Sequence, residues 1–187
     1  MTIILKDFTM CKLANPDLNI HLKNLNSPAD ILQLCKRHNI QNYAYAFIFN
    51  NPLFHLDEWL KIGRSAGGEI GERIYRQAGN VPGWSSPLQG PSGSDIKDII
   101  NKFEKNYPLT LGMCNIDNIS VRIWNVTDVL NEHLTDYAYP SRVCENELLN
   151  EYESIHGCLP IGNIKDTRKE MMKPYVSTST WHVLFDG

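Results

Sequence analysis

An α+β fold, a small antiparallel or mixed β-sheet flanked by helices, is what the sequence predicts, and three features point to it. Strand-like and helix-like segments follow in the order strand, strand, helix, helix, strand, helix. The run Tyr43 to Phe49 is aromatic and apolar enough for a buried strand. A chain of 187 residues, 42% hydrophobic, suits one packed domain with decorations better than two. The core is assigned to residues 43–163 with an inserted loop at 82–94, an N-terminal accessory layer at 1–42 and a C-terminal extension at 164–187.

Each element has a local reason. Ile3 to Leu5 reads as a short strand, and Ser27-Pro28 is a cap and first-turn signal for a helix through Lys36. Asn50-Asn51-Pro52 ends the aromatic strand, and Trp59 to Arg64 reads as its hairpin partner. A two-residue period places Trp59, Lys61 and Gly63 on one face of that partner, and Leu60, Ile62 and Arg64 on the other. Gly67-Gly68 opens a helix whose apolar positions Ile70, Ile74 and Ala78 recur every four residues, with Gly79 as its stop. Arg73 borders that stripe and Arg76 points away from it. Pro82 to Gly93 holds too many prolines and glycines for regular structure. A helix over Asp95 to Lys105 with Ser94 as cap, a strand over Ile119 to Val126, and a helix from about Glu145 to His156, stopped by Gly157 and Pro160, complete the set.

Bulk properties narrow the classes. Lys6 and Asp7 interrupt the apolar start, so neither a signal peptide nor a membrane span is expected and the protein is placed in the cytoplasm. The five cysteines are odd in number and scattered, which argues against a disulfide framework or zinc site and for reduced packing residues. The histidines show no ligand spacing. A net charge of −3 opposes nonspecific nucleic-acid binding, which depends on Lys and Arg neutralising phosphates. The charge is uneven, however. Lys61, Arg64, Arg73 and Arg76 fall within sixteen positions, Lys165 to Lys173 is also basic, and acids prevail from Asp117 to Glu153. A duplex can be gripped locally by such a surface.

The basic cluster outlines a phosphate site, and a downstream acid could hold a metal ion beside it. Glu151 lies along the Leu148, Tyr152, Ile155 stripe of the last helix, whereas Glu153 falls on the opposite side. Trp84, after Val81-Pro82-Gly83, can either stack on bases or anchor its loop. Tyr43 and Tyr45 share a strand face, and the residues alone leave open which of them carries chemistry.

With these residues in place the segment from Tyr43 to Asn163 resembles the GIY-YIG nuclease superfamily. Tyr43-Ala44-Tyr45 stands at its first motif, Lys61-Ile62-Gly63 at its second, Arg73 at the helix arginine, and Glu151 and Asn163 at the last two positions. The spacing of Glu151, Ile155, Pro160 and Asn163 is similar to the corresponding segment of the nuclease subunit of bacterial excision repair. Tyr43 replaces the first motif's glycine and Lys61 the second motif's tyrosine. The lysine form is similar to some restriction-enzyme members and to a phage-related branch.

The resemblance implies a GIY-YIG-like fold and a metal-dependent DNA endonuclease, foremost a sequence-specific type II restriction enzyme acting on double-stranded DNA as a homodimer. A phage, mobile-element or repair nicking nuclease, and a noncatalytic DNA-binding module on the same scaffold, are the alternatives. The implied roles are Tyr45 as base with Lys61 activating it, Arg73 on the scissile phosphate, Arg64 or Arg76 on a flanking phosphate, and Asn163 orienting the site. Glu151 would hold one Mg²⁺ or Mn²⁺ ion per active site.

Overall fold

A computed structural model describes residues 12–66, 70–85, 94–129 and 139–163. The predicted strand at Ile3 to Leu5, most of the inserted loop and the C-terminal extension lie outside these residues. The described elements are β1 (Leu18–His21), α1 (Ala29–Arg37), β2 (Asn42–Asn51), β3 (Leu56–Ala66), α2 (Glu72–Ala78), α3 (Ser94–Asn106), β4 (Ile119–Asn125) and α4 (Tyr139–His156), with short 3₁₀ turns between some of them. The fold is α+β. Its four strands lie in the order β1-β4-β2-β3, and every pairing is antiparallel.

β2 is apolar on both sides because both sides are covered, the condition under which a strand reads as continuous rather than alternating. Tyr43, Tyr45, Phe47 and Phe49 enter one core with Ile31 and Cys35 of α1, Ile74 and Ala78 of α2, and Ile96, Ile100 and Phe103 of α3. Ala44, Ala46 and Ile48 enter the other, against Cys144, Leu148, Leu149 and Tyr152 of α4. Burying each large side chain contributes roughly 1.5–3 kcal/mol.

Several boundaries differ from expectation. β1 was not expected; it adds the edge beside β4. α2 starts after Gly71 and leaves Ile70 ahead of the helix. Gly71 takes φ +72°, and a side chain there would meet Cys35 Sγ at 2.7 Å, so a glycine sets both the turn and the close approach of α1. α4 begins at Tyr139, six residues before the expected start. Pro140 lies in its first turn, where backbone N–H groups have no partner within the helix, so the proline breaks nothing. Ile155, expected on the buried stripe, is 62% exposed.

The expected faces of β3 also need correction. Phe47 pairs with Lys61 and Ile48 with Trp59, leaving Leu60 as the extra residue of a β-bulge. The bulge moves Trp59 to the α4 side with Ile62, while Leu60 joins the opposite core. Lys61 and Gly63 therefore share the face of Tyr45 without Trp59. Cys35, Cys114 and Cys158 are free thiols, but Cys144 is disulfide-bonded, against the expectation of five reduced cysteines. Scattered cysteines carry no pairing signal in sequence.

β3 is an edge strand, and its outer edge is partly closed by the turn after α4. Gly162 N–H donates to Leu60 O at 2.8 Å. The Asn163 amide accepts from Ile62 N–H at 2.9 Å and donates to Ile62 O at 2.8 Å. Opposite Tyr45 in the ladder stands Gly63. A Cβ at Gly63 would lie 2.7 Å from the Tyr45 hydroxyl and 2.8 Å from its ring, and that ring is fully buried. Gly63→Ala is expected to cost about 1–3 kcal/mol by overpacking. Chemical denaturation would read this as a lowered midpoint at constant slope, and an unchanged midpoint would refute the close approach.

Candidate active site

Because Gly63 carries no side chain, the Tyr45 phenol crosses β3 and reaches toward α2. Arg73 Nε donates to the Tyr45 hydroxyl at 3.2 Å, and that hydroxyl donates to Gln77 Oε1 at 3.2 Å. Arg73 and Gln77 lie one turn apart on α2, so a single helix face supplies both partners. Gln77 is 3% exposed. No sequence expectation included it, although its place between Ile74 and Ala78 on the apolar stripe of α2 marks it as a buried amide needing a partner.

Arg73 is pushed above its ordinary range by Tyr45, against the cost of burial, with Glu145 adding in the same direction. Glu145 is the acid of this site. Its carboxylate forms an ion pair with Arg64 Nε at 3.1 Å, and it is coupled electrostatically to Arg64, then Arg73, then Lys61. Burial outweighs these cations and pushes the Glu145 carboxyl above its usual range. Three cations are thus coupled to one carboxylate at the edge of β3, and one of them, Arg73, is bonded to the buried Tyr45 phenol.

Glu151, the expected metal-holding acid, is bonded elsewhere. It lies six residues beyond Glu145, about 9 Å along the helix and two-thirds of a turn around. Its Oε2 accepts from the backbone N–H of Leu13 at 2.8 Å, which ties the start of the described chain to α4. The signal for Glu145 was present in the sequence. Buried Ser141, Cys144, Glu145, Leu148, Leu149 and Tyr152 recur at helical spacing, and an acid within such a stripe needs cationic partners. Starting the helix too late hid that stripe.

The other expected residues sort by position. Lys61 is half-buried and Arg64 faces α4 from β3. Tyr43 is buried one ladder step from Tyr45, with ring centroids 6.1 Å apart. Its hydroxyl lies beside Ser65 and the backbone of Ile74 without a well-formed hydrogen bond to either, and burial raises its pKa above the ordinary range. The Asn163 side chain hydrogen-bonds to the backbone of Ile62 at the edge of β3, between Lys61 and Gly63. Arg76 pairs with Glu72 on the outer face of α2. Trp84 donates its indole N–H to Ala78 O at 2.9 Å and packs on the core, so it anchors its loop and is not presented for stacking.

The geometry also changes the expected role of Tyr45. The cation bonded to it is Arg73, and burial raises its pKa despite that positive charge. A phenol that donates to Gln77 and accepts from Arg73 holds the guanidinium in place; it is poorly arranged to take a proton from water.

As donors, the described residues contain no group of three or more His, Cys, Asp or Glu that could hold a metal ion. Glu145 is a single carboxylate coupled to three cations, so a divalent ion here would depend on waters and substrate phosphate for its other ligands. Mg²⁺ commonly keeps several waters and is bound through one or two carboxylates plus substrate phosphate. Compared with known protein families, curated proteins and solved structures, the chain matches none.

The raised Tyr45 pKa has a signed consequence for stability. The folded value lies above the unfolded value of about 10, so the stabilising contribution is whole below about pH 10 and is lost as pH rises through the folded value. Tyr45→Phe is expected to lose stability less steeply than wild type above that pH in thermal melts. Tyrosinate absorbance in the native wild type should show no Tyr45 component near neutral pH; one that vanished in Tyr45→Phe would restore the base role.

Proposed function

We propose that the chain is a metal-dependent DNA endonuclease of the GIY-YIG type that hydrolyses phosphodiester bonds. The observation that carries this reading is the coupling of Arg64, Arg73 and Lys61 to Glu145 at one sheet edge, with Arg73 hydrogen-bonded to Tyr45. Phosphodiester hydrolysis needs positive groups for the phosphoryl oxygens and a means of stabilising the departing alkoxide. Arg73, fixed by Tyr45, holds the scissile phosphate through its remaining N–H donors. Lys61 adds a second positive charge from β3, and Arg76 on the outer face of α2 binds a flanking phosphate. Asn163 fixes the backbone that carries Lys61 and Gly63.

Glu145, in place of Glu151, is the residue that would hold Mg²⁺ or Mn²⁺. The ion, when bound, supplies Lewis-acid stabilisation of the phosphoryl and leaving oxygens. The substrate is double-stranded DNA. A sequence-specific type II restriction enzyme is the finer reading, and cleavage of both strands then calls for a homodimer with one such site per strand.

Supercoiled plasmid incubated with Mg²⁺ tests the proposal. Glu145→Gln and Arg73→Ala are each expected to reduce cleavage at least about a hundredfold, the scale of losing one charge-stabilising group. Glu151→Gln should cleave like wild type. Discrete linear fragments support the restriction reading, while open circles alone would replace it with a nicking enzyme. Full activity in Glu145→Gln, or its loss in Glu151→Gln with the fold intact, would return the catalytic acid to Glu151.

A further inference from the structure

Among the described residues, all the large apolar side chains exposed to solvent except Ile155 lie at one end of the sheet. Two connections leave that end, the β2–β3 hairpin and the segment from α3 to β4, and Asn50 N–H donates to Asn118 O at 2.8 Å where they run together. Leu53, Phe54 and Leu56 on the hairpin, with Tyr107, Leu109 and Leu111 on the other segment, are between 46% and 75% exposed. Tyr45 stands well back along β2, about 20 Å from Asn51 at the spacing of a strand. The apolar end and the charged site are separate surfaces.

Both connections are held in shape. Asn51 is buried; its side chain accepts from Leu53 N–H at 3.0 Å and its carbonyl from His55 N–H at 2.9 Å. Buried Thr110 donates to Tyr107 O at 2.7 Å, and Cys114 N–H donates to Glu104 Oε1 at 3.1 Å. A preformed surface gives up little conformational freedom on association. A fully exposed side chain of this size offers roughly 200 Å², so these fractions leave about 700 Å² of residue surface in water. That exceeds the roughly 300–600 Å² of the largest patch on a typical monomer and approaches the about 800 Å² that each partner brings to a standard interface.

Charge selects the occupant. Residues 50–56 and 106–116 contain no Lys, Arg, Asp or Glu. DNA and anionic lipid therefore find no cation on these segments. Near a two-fold axis a charged group meets its own equivalent of the same sign, and an uncharged face escapes that repulsion. We propose that this end of the molecule is a self-association surface, on which two copies of the chain pair about a two-fold axis, the hairpin of one against the Tyr107–Leu111 turn of the other. The inference is independent of the nuclease reading, because none of these side chains belongs to the site around Tyr45 and Glu145. Pairing buries the apolar end and leaves each charged site open.

Sedimentation equilibrium of the full chain at micromolar concentrations tests the pairing, with Leu109→Glu/Leu111→Glu and, separately, Phe54→Glu. Wild type is expected to sediment at twice the mass of one chain. Each variant, checked for folding by circular dichroism, should weaken the dimer at least about a hundredfold, since every copy would bury a carboxylate at the contact. The variants lie in different connections, so misfolding of one leaves the other to decide. Wild type that sediments as a monomer throughout the range overturns the proposal, as does a dimer that survives in both variants. Monomeric wild type that binds neutral phosphatidylcholine vesicles would assign the face to a lipid surface instead.

Discussion

The site depends on one steric allowance, the missing side chain at Gly63. Tyr45 belongs to the central strand, which is buried on both faces, and its hydroxyl could not otherwise reach beyond the sheet. Passing over the glycine in the edge strand, the phenol meets Arg73 and Gln77 of α2. The same edge is secured from outside by Gly162 and Asn163. A side chain at Gly162 would lie 2.7 Å from Leu60 O, so a second close approach guards the other side of the strand. The tyrosine, the glycine and the asparagine thus set the geometry, and the charged residues use it.

Electrostatics then gives the arrangement its direction. Glu145 and Arg73 are carried by helices on opposite faces of the sheet, yet they are coupled around its edge. Removing a carboxylate from water is costly unless cations and hydrogen bonds compensate. Arg64, Arg73 and Lys61 offset part of that cost, and burial still holds the Glu145 carboxyl above its usual range. The overall charge of −3 therefore says little about this surface, because the acids and bases are distributed unevenly along the chain.

Much of this was legible in the residues, and the omissions have physical causes. The β2–β3 hairpin follows from an aromatic run and a turn signal, and α3 and β4 fall close to where periodicity placed them. Lys61 and Arg73 stand out as members of a basic cluster, whereas Asn163 enters only through the resemblance to a nuclease motif. The bulge at Leu60 was not legible, since one inserted residue changes the facing of its neighbours without changing composition. The stripe that holds Glu145 is hidden when the helix is started at about Glu145, because α4 begins at Tyr139, with Pro140 in its first turn where a proline is compatible with a helix. Gln77 was missed because a lone amide on a helix has no signature until its partner across the sheet is known.

Tyr45 and Arg73 act as one unit over Gly63, and a double-mutant cycle in unfolding free energy measures their coupling. Tyr45→Phe and Arg73→Met, singly and together, are expected to be non-additive, with a coupling of about 0.5–3 kcal/mol. A parallel cycle of Arg73→Met with Glu151→Gln should be additive, because Glu151 is engaged with Leu13. Additivity of the Tyr45 and Arg73 substitutions, together with coupling between Arg73 and Glu151, would contradict the arrangement described above.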